Sequence, residues 1–193
     1  MSWLPAFKIG LWNAWMLMLY VPLLSPIMRV VDKVVGTSEI FKKMGGDVSY
    51  QKGEKKAYSI YMVVLLILLA YSIFIPLKLG TVWFYAGLTI YLVGLVMLLT
   101  GIINVAITPL GKPFTNGIYR FSRHPGYFSM FITFMGVSVA SASWVFLLLS
   151  IVSMILQNSS AIAEERACLE IFGGEYQEYM NRTPRWIGIP KSR

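Results

Sequence analysis

The 193 residues include one cysteine, Cys168, and one histidine, His124. A lone cysteine excludes an internal disulfide, and one cysteine with one histidine cannot assemble a metal cluster, so no metal is expected. Charge is scarce too. Asp, Glu, Lys and Arg make up 13% of the chain, where a soluble domain carries about a quarter. No GxGxxG marks a dinucleotide fold. No aromatic-basic groove module is visible, which removes nucleic acid as a partner. The amino-terminal stretch lacks a basic n-region and a clear cleavage site, so it is expected to stay as a membrane span. No lipidation box closes the chain.

Apolar sequence is plentiful: 56% of the residues are hydrophobic. Uncharged runs cover Ile9–Met28, Ala57–Leu77, Leu79–Gly111 and Gly126–Ala163, of 20, 21, 33 and 38 residues. A helix needs roughly 20 residues to cross the hydrocarbon core. The first two runs are single spans. In the third, Pro109, Gly111 and Pro113 end the helix, leaving one span and a non-helical tail. The fourth is too long for one span. Its polar middle, "SVASASW" (Ser138 to Trp144), reads as the bend of a helical hairpin with short arms. The expected fold is an all-α integral membrane protein of about five transmembrane helices, the last two a hairpin, followed by a cytosolic helical segment. We expect one membrane domain over 1–193, with spans in 1–103 and a cofactor-binding core in 104–193.

Charge segregation supports five spans. Arg29–Lys56, Lys112–Arg123 and Arg166–Arg193 then share one side, with 15 of the 17 basic residues. Cytoplasmic loops are enriched in Lys and Arg. The amino terminus is therefore expected outside, and the carboxyl terminus and active site in the cytosol. The basic stretch Lys33–Lys56 would also attract anionic lipid headgroups. The glycines of that stretch, Gly45, Gly46 and Gly53, argue against continuous helix there, and "SEIFKKM" is a candidate surface segment. Gly80, Gly87, Gly94 and Gly101 recur every seven residues, a stripe that lets a neighbouring helix approach closely. Asn104 follows on the same helix, and a polar amide at that depth needs a partner.

Two polar clusters flank the hairpin, "NGIYRFSRHPGY" from Asn116 and "AEERACLEIFGGEYQEY" from Ala163. The hairpin returns the chain to its starting side, so the clusters should meet. Glu164 and Glu165 repel one another and call for a cation or a ligand; Arg123 is a candidate partner. Pro125 can open a helix whose free N–H groups favour an anion. Phe114, Tyr119 and Tyr127 add aromatic surface. The combination suits a zwitterionic aromatic ligand such as S-adenosylmethionine, and residue types alone do not choose it over a nicotinamide cofactor.

As a set, "GIYRFSRHPGY", the "EE" pair about forty positions on, "FGGEYQEY" and "TPRW" resemble the membrane methyltransferase superfamily of isoprenylcysteine carboxyl methyltransferase and phosphatidylethanolamine methyltransferase. The resemblance covers roughly Asn104 to Ile189. It implies a cytosol-facing S-adenosylmethionine pocket. By motif position, Tyr119, His124, Pro125, Gly126, Tyr127 and Glu164 correspond to cofactor contacts. Asn104, Lys112 and Phe114 match by spacing. Glu165 and Arg123 are the candidate catalytic groups: Glu165, or Tyr127, could take a proton from an amine acceptor. Isoprenylcysteine enzymes carry an arginine just before the glutamate pair, where this chain has "QNSSAIA". The implied acceptor is a lipid or other apolar molecule, prenylcysteine-like or a phospholipid amine. The alternatives are an NADPH-dependent reductase related to sterol reductases, a small-thiol S-methyltransferase and a non-enzymatic scaffold.

Overall fold

The computed structural model describes residues 7–35, 48–109 and 111–191. It is helical throughout: α1 (Trp15–Met18), α2 (Tyr20–Val35), α3 (Lys52–Ser72), α4 (Val82–Ile107), a 3-10 turn (Gly117–Arg120), α5 (Pro125–Ala140), α6 (Trp144–Phe172) and α7 (Gly174–Arg182). Among the described residues, four stretches are long and apolar enough to span a membrane: α1 with α2, α3, α4 and α6. The apolar α5 is shorter. Together these make the five expected segments.

The helix boundaries follow local chemistry rather than the limits of the uncharged runs. The first helix starts at Trp15, not Ile9, because Asn13 is held elsewhere. Its amide donates to the carbonyls of Lys8 (2.5 Å) and Ile73 (2.6 Å). The backbone on either side pairs with 75–77, through Ala14 N–H to the Ile75 carbonyl and Leu77 N–H to the Trp12 carbonyl. The helix then runs on through Arg29, Asp32 and Lys33 to Val35, beyond the expected loop boundary. Likewise α3 starts at Lys52, five residues before its uncharged run, and Gly53 lies in its first turn. A capping box between Gln51 and Glu54 fixes that start by satisfying otherwise orphaned N–H groups. Gly45, Gly46 and the "SEIFKKM" stretch lie outside the described residues.

The hairpin is present, with its bend at 141–143 and Ala142 at φ 51°. Its second arm is not short. After the uncharged run ends at Ala163, α6 continues through Glu164 and Glu165 to Phe172, where Gly173 stops it. The carboxylate pair therefore stands inside a helix, with both backbones fixed.

The glycine stripe is half used. A Cβ on Gly87 would fall on the backbone at Ala140, and one on Gly94 would come within 2.7 Å of Thr133 N. From the other side, Gly136 on α5 meets the backbone of Tyr91. The pairs 87/140, 91/136 and 94/133 set an antiparallel α4–α5 register with the backbones in near contact. Gly80 and Gly101 have nothing within 4 Å of a built Cβ. Beside this seam the core is filled by Met18, Leu68, Phe134, Val137 and Phe146.

Candidate active site

The polar residues gather where α5 begins, α6 nears its end and α7 crosses beneath them. Pro125 occupies the first turn of α5 with His124 as its N-cap. The fixed φ of proline suits that position, and the N–H it lacks would be unpaired there anyway. His124 N–H donates to Ser122 Oγ (3.1 Å) and to the Arg185 carbonyl (3.2 Å). Gly188 N–H reaches the Phe121 carbonyl and Arg123 N–H the Pro184 carbonyl. The 121–124 segment is thus laced to the segment after α7, and the "RHP" and "TPRW" motifs form one structure.

His124 sits between the two glutamates. Its Nδ1 is 3.3 Å from Glu164 and its Nε2 is 3.2 Å from Glu165. A neutral imidazole has one N–H and would turn a lone pair on one carboxylate. Only the imidazolium donates to both. Burial of the ring opposes its charge, but the hydrogen bonds to Glu164 and Glu165 outweigh that, and the His124 pKa is raised. The adjacent like charges noted in the sequence are bridged by the single histidine.

The two carboxylates differ in their surroundings. Glu165 is 5% exposed at its side chain and Glu164 is 23% exposed. Glu165 also receives Arg123 Nη2 at 3.1 Å and a bidentate pair from Arg185, Nε at 2.9 Å and Nη2 at 2.7 Å. Arg185 extends its fork to Asn158 Oδ1 (3.2 Å), and its already high pKa rises further beside Glu165. Every face of the Glu165 carboxylate is engaged. Glu164 accepts from the Tyr127 hydroxyl and from His124 and keeps an open side. The Tyr127 ring stacks on His124 with centroids 5.6 Å apart and planes 8° from parallel.

The remaining candidates fall into two groups. Tyr119 is buried against Phe114, with ring centroids 5.5 Å apart, and its carbonyl accepts from Tyr179 Oη at 2.6 Å. Burial pushes the Tyr119, Tyr176 and Tyr179 phenols up, so they stay neutral donors. Asn104 finds its partner in the backbone: its Oδ1 accepts from Ile118 N–H at 2.9 Å. Gly117, at φ 60°, lies so close that a Cβ would fall on the Asn104 amide. Asn104 and Gly117 thus place the turn that carries Tyr119. Lys112 is exposed and pairs loosely with Glu175 at 3.7 Å. Gly126 has nothing within 4 Å of a built Cβ, so the start of α5 is open to a ligand.

Several site residues escaped the sequence reading. Arg185 was visible only as part of "TPRW", Asn158 only as part of a segment notable for lacking arginine. Trp186 lies 6.2 Å from the His124 ring. Tyr50 lies near Ser160, and burial first and the Glu164 charge next push its phenol up. The stretch carrying Tyr50 is tied to α6 by Arg166, which grips both oxygens of Glu54 (2.8 and 2.7 Å) and the Ser49 carbonyl (3.0 Å). Nothing in the local sequence links positions 49–54 to 160–166.

An apolar groove of about 800 Å³ opens between α1 and α3, lined by Ile9, Trp15, Met18, Leu66 and Leu69. No titratable side chain lines it, in contrast to the cluster of His124, Glu164 and Glu165 where α5 begins. No group of His, Cys, Asp and Glu able to hold a metal occurs among the described residues.

No curated protein matches the chain closely enough to narrow its assignment. A family model described as phospholipid methyltransferase matches residues 55–175, which takes in the "RHP" box, the glutamate pair and the start of α7. With well over half of the sequence inside that match, this chain belongs to the phospholipid methyltransferase family, and it is a membrane methyltransferase of the lipid-modifying kind.

Proposed function

We propose that the protein moves a methyl group from S-adenosylmethionine to a phospholipid amine or other apolar acceptor, at the cytosolic face of the membrane. The observation that carries this reading is the Glu164–His124–Glu165 bridge with its one open carboxylate. Glu164 offers a fixed negative charge beside the Tyr127 and His124 rings, and the α5 amino terminus offers free N–H groups over the open space at Gly126. Those features suit a ligand with a cation, a carboxylate and a flat ring. In this reading Glu164, Tyr127, His124, Pro125, Gly126 and Tyr119 hold the cofactor. Asn104 acts through the turn it pins, and Phe114 packs behind Tyr119. Lys112 borders the site.

S-adenosylmethionine supplies an already activated methyl group, so the protein's task is positioning and exclusion of water. Holding two reactants in line can contribute roughly 7–11 kcal/mol. Glu165, saturated by Arg123, His124 and Arg185, is assigned to positioning: it fixes the ring that orients Glu164. Where the acceptor is an amine, the open Glu164 oxygen and the Tyr127 hydroxyl form the route for the departing proton. The orientation rests on the segregation of basic residues to the end of the bundle that carries the site.

The test is calorimetric titration of detergent-purified protein with S-adenosylmethionine and S-adenosylhomocysteine. Wild type should bind both, and Glu164→Ala should weaken both at least tenfold, since a charge-assisted contact contributes about 1.5–3 kcal/mol. Absence of binding to folded wild type, with binding of NADPH instead, overturns the reading in favour of a reductase.

A further inference from the structure

The polar cluster holds more positive charge than its carboxylates use. Arg123, His124 as the imidazolium, and Arg185 bring three cations to Glu164 and Glu165. The ions that flank them pair among themselves, Arg166 with Glu54, Lys112 with Glu175 and Arg182 with Glu178. The cluster is left with one positive charge in excess. Arg185 is where that charge reaches the surface: its side chain is 31% exposed, against 11% for Arg123 and 5% for His124. A guanidinium has five N–H groups. Arg185 spends one from Nε and one from Nη2 on Glu165, and one from Nη1 on Asn158. One N–H on each terminal nitrogen keeps no partner among the described residues. A planar guanidinium held in this way is suited to an oxyanion, phosphate or carboxylate.

Position and charge say which oxyanion. Besides Glu165, Arg185 reaches Asn158, two turns nearer the start of α6. The guanidinium therefore rests against the roughly 10 Å of helix between those positions, on the bilayer side of the glutamate pair. A phospholipid that presents its amine at Glu164 carries its phosphate as the next charged group toward the acyl chains. The protein offers the matching order, carboxylate first and guanidinium further in. The charges match as well. An amine attacks only once it is neutral, which leaves the reacting lipid with the single negative charge of its phosphodiester. The cofactor's carboxylate is the other anion of the reaction, and the free N–H groups at the start of α5 already provide for it.

We propose that Arg185 binds the phosphodiester of the methyl acceptor, and so selects an amine that is carried on a phospholipid. This rests on the methyltransferase reading above and adds the acceptor's anion subsite to it. Glu165 and Asn158 hold the guanidinium in place for that contact.

The experiment compares dioleoyl phosphatidyl-N,N-dimethylethanolamine with dioleoyl-dimethylammonium-propane, which has the same acyl chains and a tertiary amine but no phosphate. Each is added to the detergent-purified full chain, and the thermal shift is read against lipid concentration. Wild type should bind the phospholipid about tenfold more tightly, the worth of one charge-assisted contact. In Arg185→Gln that preference should fall below about threefold, through weaker binding of the phospholipid. A purely structural role for Arg185 would weaken both lipids alike and leave their ratio unchanged. Arg185→Lys gives a second reading should the glutamine variant fail to fold. Its ammonium cannot hold Glu165 and a phosphate together, so the preference should shrink there too. Equal affinities in wild type, no lipid-dependent shift, or a preference that survives in the variants would each overturn the proposal. A surviving preference joined to weaker S-adenosylhomocysteine binding would hand the guanidinium to the cofactor's carboxylate instead. Absence of S-adenosylhomocysteine binding in wild type would strike the methyltransferase reading itself, so the two failures stay distinct.

Discussion

His124 places one ring nitrogen on each of two adjacent carboxylates, Nδ1 at 3.3 Å from Glu164 and Nε2 at 3.2 Å from Glu165. Neighbouring residues on a helix point about 100° apart, and the imidazole spans that angle from α5. The charge on one ring thereby fixes both carboxylates.

The bridge makes stability depend on pH with a defined sign. The His124 pKa is raised in the folded chain. Below about pH 6.5, the unperturbed value, the imidazole is charged in both folded and unfolded chains and the bridge contributes fully. The contribution is lost as pH rises through the folded pKa. Unfolding temperatures measured from about pH 6 to 9 should fall more for wild type than for His124→Asn. Parallel curves would refute the bridge.

Arg185 is the main support of Glu165. Arg185→Gln removes a bidentate partner, leaves Arg123 and His124 in place, and should destabilise by roughly 1–3 kcal/mol. Arg185→Lys should not restore the loss, because an ammonium cannot serve both Glu165 oxygens and Asn158 together. Denaturant titration of the two variants in detergent tests this.

The seam between α4 and α5 has no room for side chains at its glycines. Gly136→Val forces a branched side chain onto the Tyr91 backbone and should cost about 1–3 kcal/mol or more. Gly101→Ala meets nothing and should gain up to about 1 kcal/mol from helix propensity. Opposite signs for these two glycines, one on each helix of the α4–α5 pair, read by thermal unfolding, are the expected result.

Arg166 and Glu54 hold the Tyr50 segment against α6. Arg166→Glu and Glu54→Arg should each weaken S-adenosylhomocysteine binding by releasing Tyr50 from its place near Glu164, and the double exchange should recover much of it. Calorimetry on the three variants decides. A double variant no better than the singles would show that the pair acts only as a surface contact.

The sequence made the architecture legible because bilayer spans depend on apolar length, which a single chain displays. It also made the motif residues legible, since the "RHP" box and the glutamate pair are contiguous in sequence. Helix ends were misplaced where a tertiary contact decided them, as with Asn13 and the Gln51–Glu54 box. The hidden parts of the site are those whose partners lie far apart in the chain. Arg185 meets Glu165 across 20 residues and Arg166 meets Glu54 across 112. No periodicity records such pairings. The glycine stripe shows the reverse failure: a regular spacing predicted one continuous contact face, yet Gly80 falls ahead of α4 at φ 72° and Gly101 meets nothing within 4 Å.

From Trp144 to Glu164 the unbroken α6 rises about 30 Å, the thickness of a bilayer's hydrocarbon core. The helix is in effect a ruler. With its start at one membrane surface, its length alone sets Glu164 at the height of the opposite head groups. Turnover should then respond to bilayer thickness, falling in lipids with chains much shorter or longer than that span, because mismatch would lift the site away from its substrates or sink it beneath them.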